Sequence, residues 1–184
     1  MHCLFFDVRP KPGHLEHYFA HVDRLKPRLA AHDGMLYLER FRPLDDPEAL
    51  LSHQLWRDEA AIAAWRRDGT HRSSQAAGRR VHFEDYRIRV GPAVAEWPGG
   101  VKAPEGGGGR LLLASYGLRE AGNGGRTYES VTRPGYLLAL TEAAGAESAA
   151  ALAEAALTAG ADKVRLFGIA RDYTLTDRAE APGD

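Results

Sequence analysis

Cysteine is nearly missing from this chain, because Cys3 is the only one among 184 residues. A single thiol excludes a disulfide within the chain. Long apolar runs are missing too, and no stretch approaches the roughly 20 residues that a membrane span needs. The apolar segment at the start is short and has no basic run before it, which argues against a signal peptide. We therefore expect a cytoplasmic protein without a membrane partner.

An excess of charge of one sign is also missing. The 24 basic and 25 acidic residues give a formal net charge of −1. Nucleic-acid binders present a strongly basic surface, and this sequence has no run rich in lysine and arginine, so we expect no nucleic-acid partner. The hydrophobic fraction of 44% and the charged fraction of 27% are typical of a soluble globular protein of one or two small domains.

Histidine is absent from the second half of the chain, since all eight histidines lie at or before His82. The two halves nevertheless share a weak repeat. Asp85-Tyr86 and Asp172-Tyr173 lie 87 positions apart, and the same offset pairs Trp65 with Leu152. A second copy that keeps the apolar pattern and loses the polar one resembles a scaffold. We therefore expect the functional site in the first half.

The apolar patterns predict the order strand, helix, two strands, helix, strand in the first half. The predicted helix over 14–32 carries an apolar stripe, and Pro27 should kink or end it. Asp58 is the expected N-cap of the second helix. The domain boundaries follow from these elements: a first domain at 1–90, a glycine- and proline-rich linker at 91–109, a second copy at 110–176 and a polar, frayed tail at 177–184.

Several motifs of the first ninety residues resemble the antibiotic biosynthesis monooxygenase family, a branch of the dimeric α+β barrel superfamily. The most specific is the strand-to-helix junction Leu55-Trp56-Arg57-Asp58-Glu59-Ala60-Ala61. The others are Arg9-Pro10, Pro12-Gly13-His14, Gly34-Met35, Glu39-Arg40-Phe41, Leu51-Ser52, Ala64-Trp65-Arg66, His71-Arg72, Gln75, Gly78-Arg79 and Asp85-Tyr86-Arg87.

The resemblance implies an α+β fold of tandem ferredoxin-like units in which the second copy is degenerate. Two such units pair their sheets into a barrel, here either as a pseudo-dimer within the chain or through a homodimer. The family includes cofactor-free oxygenases of polyketide phenols, relatives that bind and degrade heme, and many members without known activity. It also implies that Trp65 lines a pocket between helix and sheet. The heme-degrading branch has a histidine about ten positions later, where this sequence has Gln75.

Five residues are the candidates for chemistry. His53 and His71 are the candidate catalytic residues, since a neutral imidazole serves as a general base or an iron ligand. Phe5 and Trp65 would form the apolar wall, and Arg72 would hold an anionic group of the substrate. The structural alternatives are a core histidine, a core tryptophan and an exposed arginine face.

His14, His17 and His21 recur on one side of the first helix. Their i, i+3, i+7 spacing covers two turns, so one ion cannot readily meet all three, and no acidic residue or cysteine joins them. A solvated helix face is the favoured interpretation, and we expect no metal site.

The favoured function is a small-molecule monooxygenase that acts on an aromatic or secondary-metabolite substrate. The enzyme would work either without a cofactor or with heme. The alternatives are a heme enzyme with a histidine ligand, and a barrel protein that binds a ligand or a partner without catalysis.

Overall fold

The computed structural model describes residues 1–99, 109–121 and 124–182, with the backbone alone at 74–77 and 79. The elements of the first half are β1 (His2–Pro10), α1 (Leu15–Ala30), β2 (Met35–Pro43), β3 (Leu50–Trp56), α2 (Glu59–Arg67), α3 (Gly69–Ala77), a π-helical turn (Gly78–His82) and β4 (Phe83–Trp97). Those of the second half are β5 (Arg110–Leu118), β6 (Arg126–Ser130), β7 (Leu137–Ala143), α4 (Ala146–Thr158), β8 (Lys163–Ile169) and β9 (Arg171–Thr174).

Both halves have the same antiparallel strand order. In the first half β4 pairs with β1, β1 with β3 and β3 with β2. In the second half β8 pairs with β5, β5 with β7 and β7 with β6. This is the strand order of a ferredoxin-like unit, present twice. The predicted fold class is therefore confirmed.

The two sheets join at both edges and close a ring of eight strands. β2 pairs with β6 through Phe41 and Ser130, and β4 pairs with β8 through Ala93 and Phe167. The order β1-β3-β2-β6-β7-β5-β8-β4 then returns to β1. Closure satisfies the backbone groups that an open sheet edge would expose. The chain thus forms the barrel with its own second copy.

The interior of this barrel is apolar and aromatic. Alternate residues of each strand point inward, including Cys3 and Phe5 of β1, Leu51 and Leu55 of β3, and Phe167 of β8. The opposite face of the first sheet is covered by α1, α2 and α3. The first half therefore has two packed faces, one inside the barrel and one beneath the helices.

The Asp-Tyr pairs that suggested the repeat do not occupy corresponding places. Asp85-Tyr86 lies near the start of β4, whose counterpart is β8, whereas Asp172-Tyr173 lies in β9. β9 continues β8 and pairs with β4, so that Tyr173 lies opposite Ile88, just as the end of β4 pairs with β8. The pair Trp65 and Leu152 does fall on corresponding helices, α2 and α4.

The strand expected to end at residue 90 continues to Trp97, so the first part of the expected linker is a strand of the barrel. Gly91 has a packing role there, because a Cβ on it would lie 1.9 Å from the carbonyl oxygen of Gly168. Trp97 pairs with Val164 in β8. Most of the glycine run 106–109 lies outside the described residues. A glycine in a sequence can thus mark close strand contact as well as flexibility.

The helices follow their local sequence signals with one exception. The carboxylate of Asp58 caps α2 by accepting a hydrogen bond from the Ala61 backbone N–H at 2.8 Å. α1 does not end at Pro27 but continues through it to Ala30. No helix is described between β5 and β6, the place where α1 stands in the first half. Among the described residues, none of the helices is both long and apolar enough to cross a membrane.

Candidate functional site

A cavity of about 600 Å³ lies between helices α2 and α3 and the outer face of the first sheet. We call it the helix–sheet pocket. Its lining is apolar or aromatic at the sheet and cationic at the rim. The lining residues are Leu4, Phe6, Gln54, Trp65, Arg66, Arg67, His71, Arg72, Ser73, Arg80, Phe83, Tyr86, Ile88, Tyr173, Arg178 and Pro182.

Trp65 and His71 form a stacked pair in this pocket. Their ring centroids are 4.5 Å apart and their planes differ by 21°. Asp68 brings them together, because its Oδ1 accepts hydrogen bonds from the backbone N–H groups of Thr70 and His71 and so starts α3. Trp65 itself is buried. The break at Asp68-Gly69 therefore folds the chain back so that the imidazole covers the indole.

The geometry fixes the tautomer of His71. Its Nδ1 lies 3.1 Å from the carbonyl oxygen of Trp65, an atom that can only accept a hydrogen bond, so Nδ1 carries the proton. Burial lowers the pKa of His71 to about 4, although the Trp65 carbonyl and Asp68 partly oppose this effect. The imidazole is therefore neutral at pH 7. Its Nε2 is left with a lone pair for a proton or a metal ion.

Cationic side chains surround the pocket. Among the described residues, its lining includes five arginines, Arg66, Arg67, Arg72, Arg80 and Arg178, and no aspartate or glutamate. Such a rim favours a ligand with a negative group, since guanidinium groups bind carboxylates with paired hydrogen bonds.

Gln54 is a polar residue of the pocket that the sequence patterns did not single out. It lies on β3 and is buried. Its side-chain oxygen accepts a hydrogen bond from Trp56 Nε1 at 3.0 Å, and its nitrogen donates to Ser52 Oγ at 3.2 Å. The alternation along β3 was the available signal, because it places Gln54 on the face opposite His53.

The carboxyl-terminal segment supplies a third wall. Tyr173 of β9 and Arg178 after it line the pocket, and Arg178 Nη1 donates a hydrogen bond to the hydroxyl oxygen of Tyr86 at 2.5 Å. Residues 177–184 were expected to be a frayed tail, and no local pattern assigned Arg178 a contact. Only the pairing of β9 with β4 brings it over the first half.

Residues 1–77 match the family model of antibiotic biosynthesis monooxygenases. The resemblance inferred from the sequence is confirmed for this part of the chain. A protein of Pyricularia oryzae named jasmonate monooxygenase ABM is 37% identical over 95 residues, which are 52% of this chain and 44% of that relative. The chain thus spans less than half the length of this relative.

Two solved structures show low sequence identity to the chain. A structure titled antibiotic biosynthesis monooxygenase covers 52% of this chain and all of its own, with 18% identity and a TM-score of 0.46. A structure of an anthrone oxidase-like protein covers 99% of this chain and 96% of its own, with 9% identity and a TM-score of 0.42. The fold assignment itself rests on the strand order described above.

The five candidate residues do not line one pocket. Trp65, His71 and Arg72 line the helix–sheet pocket of the first half. Phe5 and His53 lie inside the barrel, on the other face of the same sheet, and both are fully buried. The pocket does lie between the strand of His53 and the helix of Trp65, but neither Phe5 nor His53 lines it. The physical reason is the alternation of β3, which turns Gln54 toward the helices and His53 away from them.

His53 is surrounded by aromatic rings of both halves. It stacks on Phe5 at 4.3 Å between ring centroids, and its Nε2 lies 2.7 Å from the hydroxyl of Tyr116. Burial, and secondly the charge of Arg165, lower the pKa of His53 to about 3, an effect that the backbone of Leu4 only partly opposes. His53 is thus a neutral hydrogen-bonding residue of the barrel core.

A second cavity, of about 610 Å³, opens at one end of the barrel between the two halves. Arg89 lies on its wall and donates to Asp7 Oδ2 at 2.8 Å, while Tyr128 donates to Asp7 Oδ1 at 2.9 Å. Its lining contains as many acidic as basic side chains: Asp7, Asp46, Asp85 and Glu142 against Arg9, Arg87, Arg89 and Arg126. This balance distinguishes it from the purely cationic rim of the helix–sheet pocket.

The histidines of α1 gain a fourth neighbour in the fold. His82 of the π-helical turn lies with its Nδ1 3.0 Å from that of His14, and its ring is 5.2 Å from His17 and 5.5 Å from His21. Across the part of the chain that the structure describes, no group of three or more histidine, cysteine, aspartate or glutamate side chains is placed to hold a metal ion.

Proposed function

We propose that this chain is a small-molecule monooxygenase that acts in the helix–sheet pocket on a substrate with an apolar body and an anionic group. The observation that carries the proposal is the combination of an aromatic floor, a half-buried neutral imidazole and an arginine rim in which the described residues include no carboxylate. The match of residues 1–77 to antibiotic biosynthesis monooxygenases supports the reaction class. The name of the Pyricularia relative, a jasmonate monooxygenase, agrees with a carboxylate-bearing substrate.

In the cofactor-free form of this reaction, His71 is the general base. Its Nε2 takes a proton from an acidic C–H or O–H group of the substrate, while Nδ1 stays bound to the Trp65 carbonyl. For a substrate with an activated CH2 group, the resulting carbanion reduces dioxygen and forms a C–O bond to a peroxide. Loss of the second hydrogen of that carbon breaks the O–O bond, which leaves a C=O group in the product and releases water, so the substrate supplies all four electrons. Trp65 and Phe83 keep the substrate in an apolar environment, and Arg72 holds its anionic group.

Heme-dependent chemistry is the second candidate, because the donor set fits the group. His71 Nε2 would ligate the iron, and arginines of the rim would hold the propionates. Heme would then supply the activation of dioxygen. The position that carries the ligand in heme-degrading relatives is Gln75 here, whose side chain lies outside the described part of the structure. Ligand binding without catalysis is the third candidate function.

Oxygen uptake and absorption spectra distinguish these functions. The purified protein is mixed with a panel of phenols and ketones that carry a carboxylate, with and without added hemin. Uptake without hemin that His71→Ala abolishes supports the cofactor-free reaction. A Soret band that survives dialysis and is lost in His71→Ala supports the heme enzyme. Tight binding of panel members without oxygen uptake under either condition would contradict both and leave a binding protein.

A further inference from the structure

We infer that Arg178, in the carboxyl-terminal segment, positions the anionic group of the ligand in the helix–sheet pocket. This inference rests on the proposed function and assigns part of the site to the second half of the chain. Nothing in the match over residues 1–77 covers this segment.

Contacts on the amino-terminal side of Arg178 hold the segment in place. β9 pairs with β4 from Arg171 to Thr174. Asp172 also accepts two hydrogen bonds from the guanidinium of Arg87, at 2.9 and 2.6 Å. The part of the segment before Arg178 is therefore fixed to the barrel wall.

A contact on the carboxyl-terminal side completes the attachment. Glu180 accepts a hydrogen bond from Arg110 Nη2 at 2.5 Å and another from the backbone N–H of Asp172 at 2.7 Å. Arg178 lies between these two attachments, in a loop whose path across the pocket is set on both sides.

The guanidinium of Arg178 has hydrogen-bonding capacity left for a ligand. Nη1 donates to the Tyr86 hydroxyl, and the group lies 5.9 Å from the ring centroid of Tyr173. Among the described residues, none of the ion pairs joins Arg178 to a carboxylate. A guanidinium has five N–H donors, so a carboxylate in the pocket can accept from those that Tyr86 does not use.

Arg171 provides a matched contrast. It lies on the same segment, but its Nη2 contacts Glu59 Oε1 at 2.9 Å, and it does not line the pocket. The positive charge of Arg171 is thus paired with a protein carboxylate, whereas that of Arg178 faces a cavity whose described lining residues include no carboxylate. Two arginines seven positions apart in one segment therefore have different expected roles.

The test measures binding of 2-naphthoate and its neutral methyl ester to the full-length chain by calorimetry. We expect the wild type to bind the carboxylate more tightly than the ester. Arg178→Ala should raise the Kd of 2-naphthoate roughly ten- to a hundredfold, because the loss of a hydrogen bond to a charged group weakens binding by about this factor. The Kd of the ester should stay unchanged. Arg178→Lys should keep part of the preference, because it retains the charge without the planar fork. Arg171→Ala should keep the full preference for the carboxylate over the ester.

Two further variants separate this inference from the proposed function. Ser73→Trp fills the pocket from an exposed helix position, and Trp65→Ala removes its aromatic floor. If both lose both ligands while Arg178→Ala keeps the wild-type preference, the pocket stands and the role of Arg178 is wrong. If Ser73→Trp binds both ligands normally, or the wild type does not prefer the carboxylate, the proposed anionic pocket is wrong and the inference fails with it.

Discussion

Single residues decide the chemistry of this chain through burial and hydrogen bonding more than through their type. His53 and His71 are both neutral histidines with lowered pKa values, about 3 and about 4. Only His71 faces a cavity, whereas His53 lies in the closed barrel interior. Both imidazoles are unprotonated and could accept a proton. A base also has to reach its substrate, so the accessible His71 is the better candidate.

His71→Ala should reduce turnover about 10²- to 10⁴-fold, which is the range for loss of a general base. The pH range from 6 to 8 lies well above the pKa of His71, which is about 4, so Nε2 is unprotonated throughout this range. The titration of His71 should therefore cause no change in the wild-type rate between pH 6 and 8. Oxygen uptake across that range measures both effects. His53→Gln is the control, and its rate should stay near that of the wild type. A rate loss in the control alone would place the base inside the barrel.

Stability should fall as the pH falls from about 6.5 toward 3, because the folded protein holds His53 neutral. The unfolded chain binds a proton on this histidine near pH 6.5, and the folded state binds it only near pH 3. The unfolded state therefore has more protons in this window, and each pH unit costs up to about 1.4 kcal/mol. Above pH 6.5 both the folded and the unfolded state hold His53 neutral, so the titration of His53 then costs no stability.

Urea unfolding at pH 7, 5 and 4 tests this dependence. His53→Gln cannot titrate but can still bond to the Tyr116 hydroxyl, so it should lose less stability between pH 7 and 4 than the wild type does. An equal loss in both proteins would show that other groups cause the acid sensitivity.

At the scale of elements, α2 and α4 occupy corresponding places and have different surroundings. Trp65 on α2 is buried against the sheet and forms part of the pocket, whereas Leu152 on α4 is only partly buried in an alanine-rich helix. Ala149 and Ala153 let α4 approach its sheet closely. The second half thus has a packed helix where the first half has a helix and a cavity.

Trp65→Ala should lower the free energy of unfolding by about 3–5 kcal/mol and abolish ligand binding, because it removes both core packing and a wall of the pocket. Leu152→Ala should cost less than about 2 kcal/mol, since the side chain is only partly buried, and should leave ligand affinity unchanged. Chemical denaturation and calorimetry measure these effects. Loss of ligand affinity in Leu152→Ala would assign a functional site to the second half beyond its carboxyl-terminal segment.

The whole molecule depends on both copies, because each sheet covers the apolar inner face of the other. Phe5, Phe41, Leu51 and Leu55 of the first half share one cluster with Leu112, Leu138 and Phe167 of the second. The edges β2 and β4 also lose their partners if the second half is removed.

Truncation after Trp97 should therefore yield a protein that associates. It would expose a large apolar face and two unpaired strand edges, and pairing of two copies would restore a barrel. Light scattering on the purified fragment should give the mass of a dimer or a larger species. A stable monomer would contradict a covering role for the second half.

The sequence by itself determined the helices, most strands and the resemblance of the first half to a known family, because apolar periodicity, the Asp58 cap and the Trp-Arg-Asp-Glu junction are local patterns. It also placed Trp65, His71 and Arg72 together, since they follow one another within one helical region. Only the tertiary structure separated His53 from them, because which face of β3 lies inside a barrel depends on the partner sheet. Only the pairing of β9 with β4 brought Arg178 to the pocket, since contacts between residues about ninety positions apart leave no local signal.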